Sequence, residues 1–173
     1  MKIENIETPR LCLRGFAPED APFAMGLWND ASTGRWLSDP RIEDIPDQEA
    51  YLKTIEGLGD ALDRCYLVAV DKDTGERIGT CSCMPENNGR TYDLAYAVDP
   101  SRQRHGYGTE MVEALIDYAR ARRAGAVTVK IAKENEASNA LARKVGAQII
   151  ATGPFTKGGT GEVIPNYLYE LKL

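Results

Sequence analysis

Residues 99–111, DPSRQRHGYGTEM, concentrate the residue types that handle phosphate. Gly106 and Gly108 let a backbone turn tightly and approach a ligand closely. The apolar period that begins beyond them predicts a helix. Its first N–H groups lack intrahelical partners and carry the positive end of the helix dipole. Arg102 and Arg104 add positive charge alongside. These parts together suit a pyrophosphate. Two other phosphate-binding patterns fit worse. The dinucleotide fingerprint G-x-G-x-x-G needs a small third residue where Met111 stands. A P-loop needs G-K-[S/T], which does not occur. A plain Gly-rich turn with incidental arginines is the bland alternative.

The elements flanking this turn must position it. LCLRGF (11–16) alternates like a half-buried strand. Pro18, Glu19 and Asp20 read as a helix start, with Phe23, Leu27 and Trp28 on one face. SDPRIEDIPDQE (38–49) reads as an acidic loop that could attract a cation but is more simply solvated. Tyr51, Ile55, Leu58 and Leu62 then fall at helical spacing. CYLVAV (65–70), RIGTCSCM (77–84) and TYDLAYAV (91–98) are short runs separated by turns, which predicts an antiparallel meander. Residues 106–123 have a helical period in Met111, Leu115, Ile116 and Ala119. VTVKIA (127–132) reads as a strand, and Asn135–Val145 as a helix stopped by Gly146. Two weaker strands, 147–152 and 166–172, enclose the Gly-rich loop TKGGTGE (156–162). The expected fold is α/β (α+β): a mixed, mostly antiparallel central sheet with helices on both faces.

The 173 residues imply a single domain over 1–173, large enough to bury about 70% of its unfolded surface. The 43% hydrophobic content is that of a globular chain. The charge, 21 − 26 = −5, argues against non-specific nucleic-acid binding. MKIENIETPR lacks an apolar signal region and no run is long enough for a membrane span, so a cytoplasmic location is expected. Cys12, Cys65, Cys81 and Cys83 show no C-x-x-C spacing, and His105 is the only histidine. That pattern offers no zinc site, and no metal is expected. Cys81 and Cys83 read as reduced core cysteines.

Gln103-Arg104-His105-Gly106-Tyr107-Gly108 resembles the [Q/R]-x-x-G-x-[G/A] coenzyme A motif of the GNAT superfamily of acetyltransferases. NEASNALARKVGA (135–147) resembles a later helix of that family, with Asn135, Ser138, Leu141, Lys144 and Gly146 matching. TPRLCLRGFAPEDA (8–21) resembles the ribosomal-protein N-terminal acetyltransferase branch. The resemblance implies acetyl transfer from acetyl-coenzyme A to a primary amine, directly, in a ternary complex. It assigns the pyrophosphate to residues 103–109: Gln103, Arg104, His105, Gly106, Tyr107, Gly108 and Thr109. It assigns the pantetheine and thioester to the strand end Tyr96, Ala97 and Val98, and adds Asn135 and Lys144 to the cofactor contacts.

The family's usual catalytic tyrosine on the later helix is replaced by Ala142. Ser138 lies one turn earlier on the same face. The resemblance makes it the expected acid for the leaving thiolate; the alternative is a small, tolerated helix residue. Asp93 is the first candidate base, since the family often has an acid there. Glu110, Glu162, Tyr167 or a bound water remain open. An α-amine, with a pKa of about 7.7–8.0, needs less help from a base than a lysine at about 10.4. A peptide or protein N-terminus is therefore the expected acceptor. A small-molecule amine, or a non-catalytic coenzyme A-binding module, are the alternatives. Oligomeric state is open, with a homodimer allowed.

Overall fold

The computed structural model describes residues 3–61 and 65–173. Its centre is one eight-stranded sheet. The strands are β1 (Ile6–Glu7), β2 (Leu11–Gly15), β3 (Tyr66–Asp71), β4 (Arg77–Glu86), β5 (Thr91–Val98), β6 (Ala126–Ala132), β7 (Gln148–Thr156) and β8 (Val163–Lys172). Their order across the sheet is β1-β2-β3-β4-β5-β6-β8-β7. Every neighbouring pair is antiparallel except β5 and β6, which run parallel. A parallel pair cannot be closed by a hairpin and needs a crossover. Helix α3 (Tyr107–Ala121) supplies it.

The helices cover both faces, as expected. Alternation along β3 sends Leu67 and Ala69 to one side and Val68 and Val70 to the other. On the first side Met111, Val112, Leu115, Ile116 and Ala119 of α3 bury against Ile78, Cys81, Cys83, Leu94 and Val98. On the second, Ala21 and Ala24 of α1 (Ala21–Trp28) and Ile55 of α2 (Gln48–Glu56) bury against Phe16 and Val68. Helix α4 (Glu136–Lys144) places Ala142 against Ile131, Ala147 and Tyr169. Cys65, Cys81 and Cys83 are free and buried, as core cysteines should be.

The differences from the sequence reading are local. The two-residue β1 carries too little pattern to be seen. Helix α2 opens at Gln48, inside the expected acidic loop, because Asp47 Oδ1 accepts from Ala50 N at 3.0 Å. It ends at Glu56 and is followed by a 3-10 turn at Gly57–Asp60; Leu62, expected on its face, lies outside the described residues. The last hairpin is longer than expected, because β7 continues to Thr156 and β8 begins at Val163. Most β7 side chains are exposed, so burial imposes no apolar pattern that would mark its length.

A buried carboxylate ties the second face together. The Asp20 side chain is fully buried and accepts from Arg14 Nη1 (2.7 Å) and Nη2 (2.9 Å), Arg77 Nε (2.7 Å) and Ala17 N (2.8 Å). Burial pushes its pKa up, but the Arg14 bonds, the Ala17 N–H and Arg77 outweigh it and hold the carboxyl at about 2. A depressed carboxyl pKa contributes stability above the unfolded value of 3.8 and loses it as pH falls towards 2. That contribution is about 2 kcal/mol. Chemical denaturation at pH 7 should find Asp20→Asn less stable than the parent by at least that amount. The gap should narrow below pH 4; a gap independent of pH would refute the assignment.

Candidate active site

The turn between β5 and α3 is shaped as an anion cradle. Arg104 (φ 63°) and Gly106 (φ 79°) both take left-handed conformations around His105. Gly106 is the N-cap of α3 and no side chain caps the helix. The first intrahelical bond is Glu110 N to Gly106 O, at 3.1 Å. The N–H groups of Tyr107, Gly108 and Thr109 therefore precede the ladder and remain available to an anion.

The second feature is a fork in the sheet. β5 and β6 pair from Thr91–Ala126 to Leu94–Val129 and then separate, although β5 runs on to Val98 and β6 to Ala132. Asp99 N bonds Ile78 O on β4 at 2.9 Å. Bonded and non-bonded pairs alternate along an antiparallel ladder. Ala97 therefore bonds β4, while the backbone of Tyr96 and Val98 faces the fork. Gln103 Nε2 donates to Val98 O at 3.1 Å, joining the phosphate turn to this strand end.

A cleft of about 760 Å³ runs from the turn to the fork. Of the residues singled out from sequence, Tyr96, Ala97, Val98, Gln103, Arg104, Gly106, Tyr107, Gly108, Thr109, Asn135, Ser138 and Lys144 line it. His105 does not. Its ring lies outside, with Nδ1 2.7 Å from Gln103 O, and its carbonyl accepts from Arg10 Nη1 at 2.8 Å. Asn135 is the N-cap of α4, its Oδ1 accepting from Ser138 N at 3.3 Å. Gly108 lets the wall of the cleft pack closely against the helix start. A Cβ there would sit 3.3 Å from Leu141 Cδ1 and 3.4 Å from Tyr96 Cε2, pointing into the wall and not at an anion.

The candidate acids and bases separate clearly. Ser138 stands in the first turn of α4, at the cleft surface. Asp93 is not a lining residue. It lies on the opposite face of β5 from Tyr96, level with the base of the fork, and accepts from Thr128 Oγ1 at 2.8 Å. Burial raises its pKa, against the Thr128 bond. Glu110 is fully engaged elsewhere: Oε1 accepts from Thr8 Oγ1 (2.6 Å) and Arg10 N (2.9 Å), and Oε2 from Arg10 Nε (2.7 Å). Burial works upward on its pKa, but the Thr8 and Arg10 bonds hold it below the usual value. Glu162 is exposed in the β7–β8 loop, and Tyr167 packs edge-on to Tyr169, 6.2 Å between centroids.

Two supporting groups have no local sequence signal. Arg10 bonds Glu110 and His105 O and stacks 4.1 Å over the Tyr107 ring, so the β1–β2 connection braces the phosphate turn. Lys157, only 3% exposed, donates from Nζ to Gly34 O (2.8 Å), Leu37 O (3.0 Å) and Asp39 O (2.7 Å). It ties the β7–β8 loop to the α1–α2 connection, whose Ser32, Thr33, Arg35, Trp36 and Leu37 form the far wall of the cleft. Arg102 is paired with Glu76, which leaves Arg35, Arg104 and Lys144 as the cleft cations without an ion pair among the described residues; Arg35 stacks on the Trp36 ring in the far wall. No group of three or more His, Cys, Asp or Glu side chains among the described residues is placed to hold a metal. No described helix is long and apolar enough to cross a membrane.

Comparison with known proteins accords with this site. The model of the acetyltransferase (GNAT) domain matches residues 10–148. The chain is 24% identical over 172 residues to the uncharacterized N-acetyltransferase p20 of Bacillus licheniformis, covering 98% of this chain and 96% of that one. Its fold is similar to RimL, a ribosomal L7/L12 alpha-N-protein acetyltransferase solved in complex with coenzyme A. That match has a TM-score of 0.79 and 22% identity and covers 98% of both chains. It is also similar to the ribosomal-protein-S5-alanine acetyltransferase of Vibrio fischeri, with a TM-score of 0.75 and 18% identity over 98% and 97% of the two chains. With the family match spanning most of the chain, and an anion cradle leading to a forked sheet, the chain belongs to the GNAT acetyltransferase family and is an acetyl-coenzyme A-dependent N-acetyltransferase.

Proposed function

We propose that the chain acetylates a primary amine, with peptide or protein N-termini ahead of lysine side chains, by direct transfer in a ternary complex. The observation that carries this is the continuity of the cleft, from the free N–H groups of α3 to the fork where Ser138 stands. The residues fit the donor. The N–H groups of Tyr107, Gly108 and Thr109, with Arg104 and Lys144, would hold the phosphates. The backbone of Tyr96 and Val98 would hold the extended arm. When bound, the donor supplies an acyl carbon activated by a thiol leaving group.

Ser138 lines the cleft and would donate its O–H to the departing sulfur. Asp93 lies at the base of the fork on the other side of the sheet and would take the amine proton through water. Glu136 is the only carboxylate among the lining residues. So little base assistance suits an acceptor that is substantially neutral near pH 8, as an α-amine is. None of the four cysteines lines the cleft, and burial raises the thiol pKa of Cys65 to about 11 and of Cys83 to about 12. An acyl-cysteine route has no nucleophile there. The ribosomal-protein acetyltransferases among the structural relatives agree with a peptide acceptor.

Mass spectrometry of a panel of peptides, lysine side chains and small amines, each incubated with acetyl-coenzyme A, tests the acceptor. Acetyl groups should appear first on peptide N-termini; turnover confined to an aminoglycoside or polyamine would reverse the reading. Arg104→Ala and Lys144→Ala test the phosphate end. Each removes a charge-assisted contact of about 1–2 kcal/mol, so calorimetry should show acetyl-coenzyme A binding roughly 5–30-fold weaker. The loss should shrink as salt rises. Unchanged affinity in both variants would place the phosphates elsewhere.

A further inference from the structure

Tyr96 sits on β5 two residues past the last β5–β6 pair, with its ring turned to the α3–α4 side. The ring lies under Gly108, where a Cβ would come within 3.4 Å of Tyr96 Cε2. Its hydroxyl is buried and has no partner at hydrogen-bond geometry. A buried O–H without an acceptor is costly, and few native structures keep one without a role. The cavity behind it is lined mostly by apolar side chains such as Val112, Ile116 and Leu141, and its two hydroxyl residues are engaged elsewhere, Thr128 Oγ1 with Asp93 and the Tyr169 hydroxyl with Asn139. The polar side chain beside it is Ser138, whose hydroxyl counteracts part of the upward effect of burial on the phenol pKa. Ser138 lines the open cleft, and its Oγ makes no hydrogen bond among the described residues.

We propose that Tyr96 is a positioning residue whose phenolic O–H donates to Ser138 Oγ and so directs the serine's single hydrogen into the cleft. This rests on the reading of Ser138 as the donor to the departing sulfur. The inventory of groups dictates the direction. A phenol that burial keeps protonated has one hydrogen and no other acceptor side chain at hand. A serine hydroxyl can accept on its oxygen while its own hydrogen points elsewhere. Rotation about the Ser138 Cα–Cβ bond moves Oγ without moving the helix, whose first turn is held by Asn135. With its oxygen engaged from behind, the serine becomes a donor towards the fork. No proton leaves Tyr96; it sets the orientation of the proton that Ser138 holds. Ala142, one turn along the same helix, leaves room for the tyrosine ring to approach from the sheet.

The test is a cycle of four proteins: the parent, Tyr96→Phe, Ser138→Ala and the double variant. Each is assayed for Tm without ligand, for Kd of acetyl-coenzyme A, and for kcat on the best acceptor of the panel. Tyr96→Phe keeps the ring and its packing, so the fold should survive. If the hydroxyls pair, Ser138→Ala leaves the phenol without an acceptor and lowers Tm. Adding Tyr96→Phe then restores Tm towards the parent value. Tyr96→Phe alone should lower kcat by about 3–10-fold, below the roughly 10²–10⁴-fold range of a lost general acid. It should leave Kd unchanged and add nothing in the Ser138→Ala background. Additive Tm changes would overturn the inference whatever the rates show. Coupled Tm changes with full kcat in Ser138→Ala would remove Ser138 from the reaction, and Tyr96's positioning role with it, while leaving the hydroxyl pair standing. Coupled Tm changes, a slow Ser138→Ala and a Tyr96→Phe with full kcat would overturn the positioning role alone.

Discussion

Past Leu94 and Val129 the β5–β6 ladder stops, but neither strand does. The site depends on that parting. Two strands that remained paired would satisfy each other's backbone groups and leave no gap. Because they diverge, the Tyr96 and Val98 backbone leaves the β5–β6 ladder, with Val98 O taken by Gln103, while β4 and β8 still hold each strand on its outer side. The parallel sense of this one pair matters equally. It demands a crossover, and the crossover helix begins with uncapped N–H groups beside the end of β5. One topological choice therefore produces both an open slot beside β5 and a free positive helix end at its mouth.

The polar groups around this gap mostly hold the walls in place. Arg10 braces the phosphate turn through Glu110, His105 O and the Tyr107 ring. Lys157 satisfies three carbonyls of the α1–α2 connection, so a buried ammonium substitutes for secondary structure in a segment with only short 3-10 turns. Both are long cationic side chains reaching across the fold, and both donate to backbone carbonyls of irregular segments. The electrostatics are divided accordingly. Of the cleft cations without an ion pair among the described residues, Arg104 stands in the glycine turn, Lys144 in the last turn of α4 and Arg35 in the far wall, while Glu110 in the first turn of α3 is neutralised within the scaffold.

Much of the fold could be read from the chain because its patterns are forced by burial. The three meander runs, the α3 period and the α4 period each place apolar residues where one face must be dry. The glycine-rich turn was legible because few residues other than glycine accept the Gly106 conformation and because a helix period follows at once. The short β1 and the extent of β7 were not legible. The first has two residues, and the second is exposed along most of its length. Of the residues marked from sequence, His105 faces out because the left-handed bends at Arg104 and Gly106 turn its ring back towards the carbonyls of residues 102 and 103.

The sequence by itself determined the order of strands and helices, the position of the phosphate turn, and the serine one helical turn before Ala142. These follow from spacing within a dozen residues, where helix and strand periods decide which side chains share a face. Only the tertiary structure decided which groups meet across longer distances. It engaged Glu110 with Arg10, 100 residues away, and buried Lys157 against carbonyls 118 to 123 residues earlier. It also set Tyr96 beside Ser138. The physical reason is that such partners are selected by sheet order and helix packing, through contacts whose separation along the chain leaves no periodic trace.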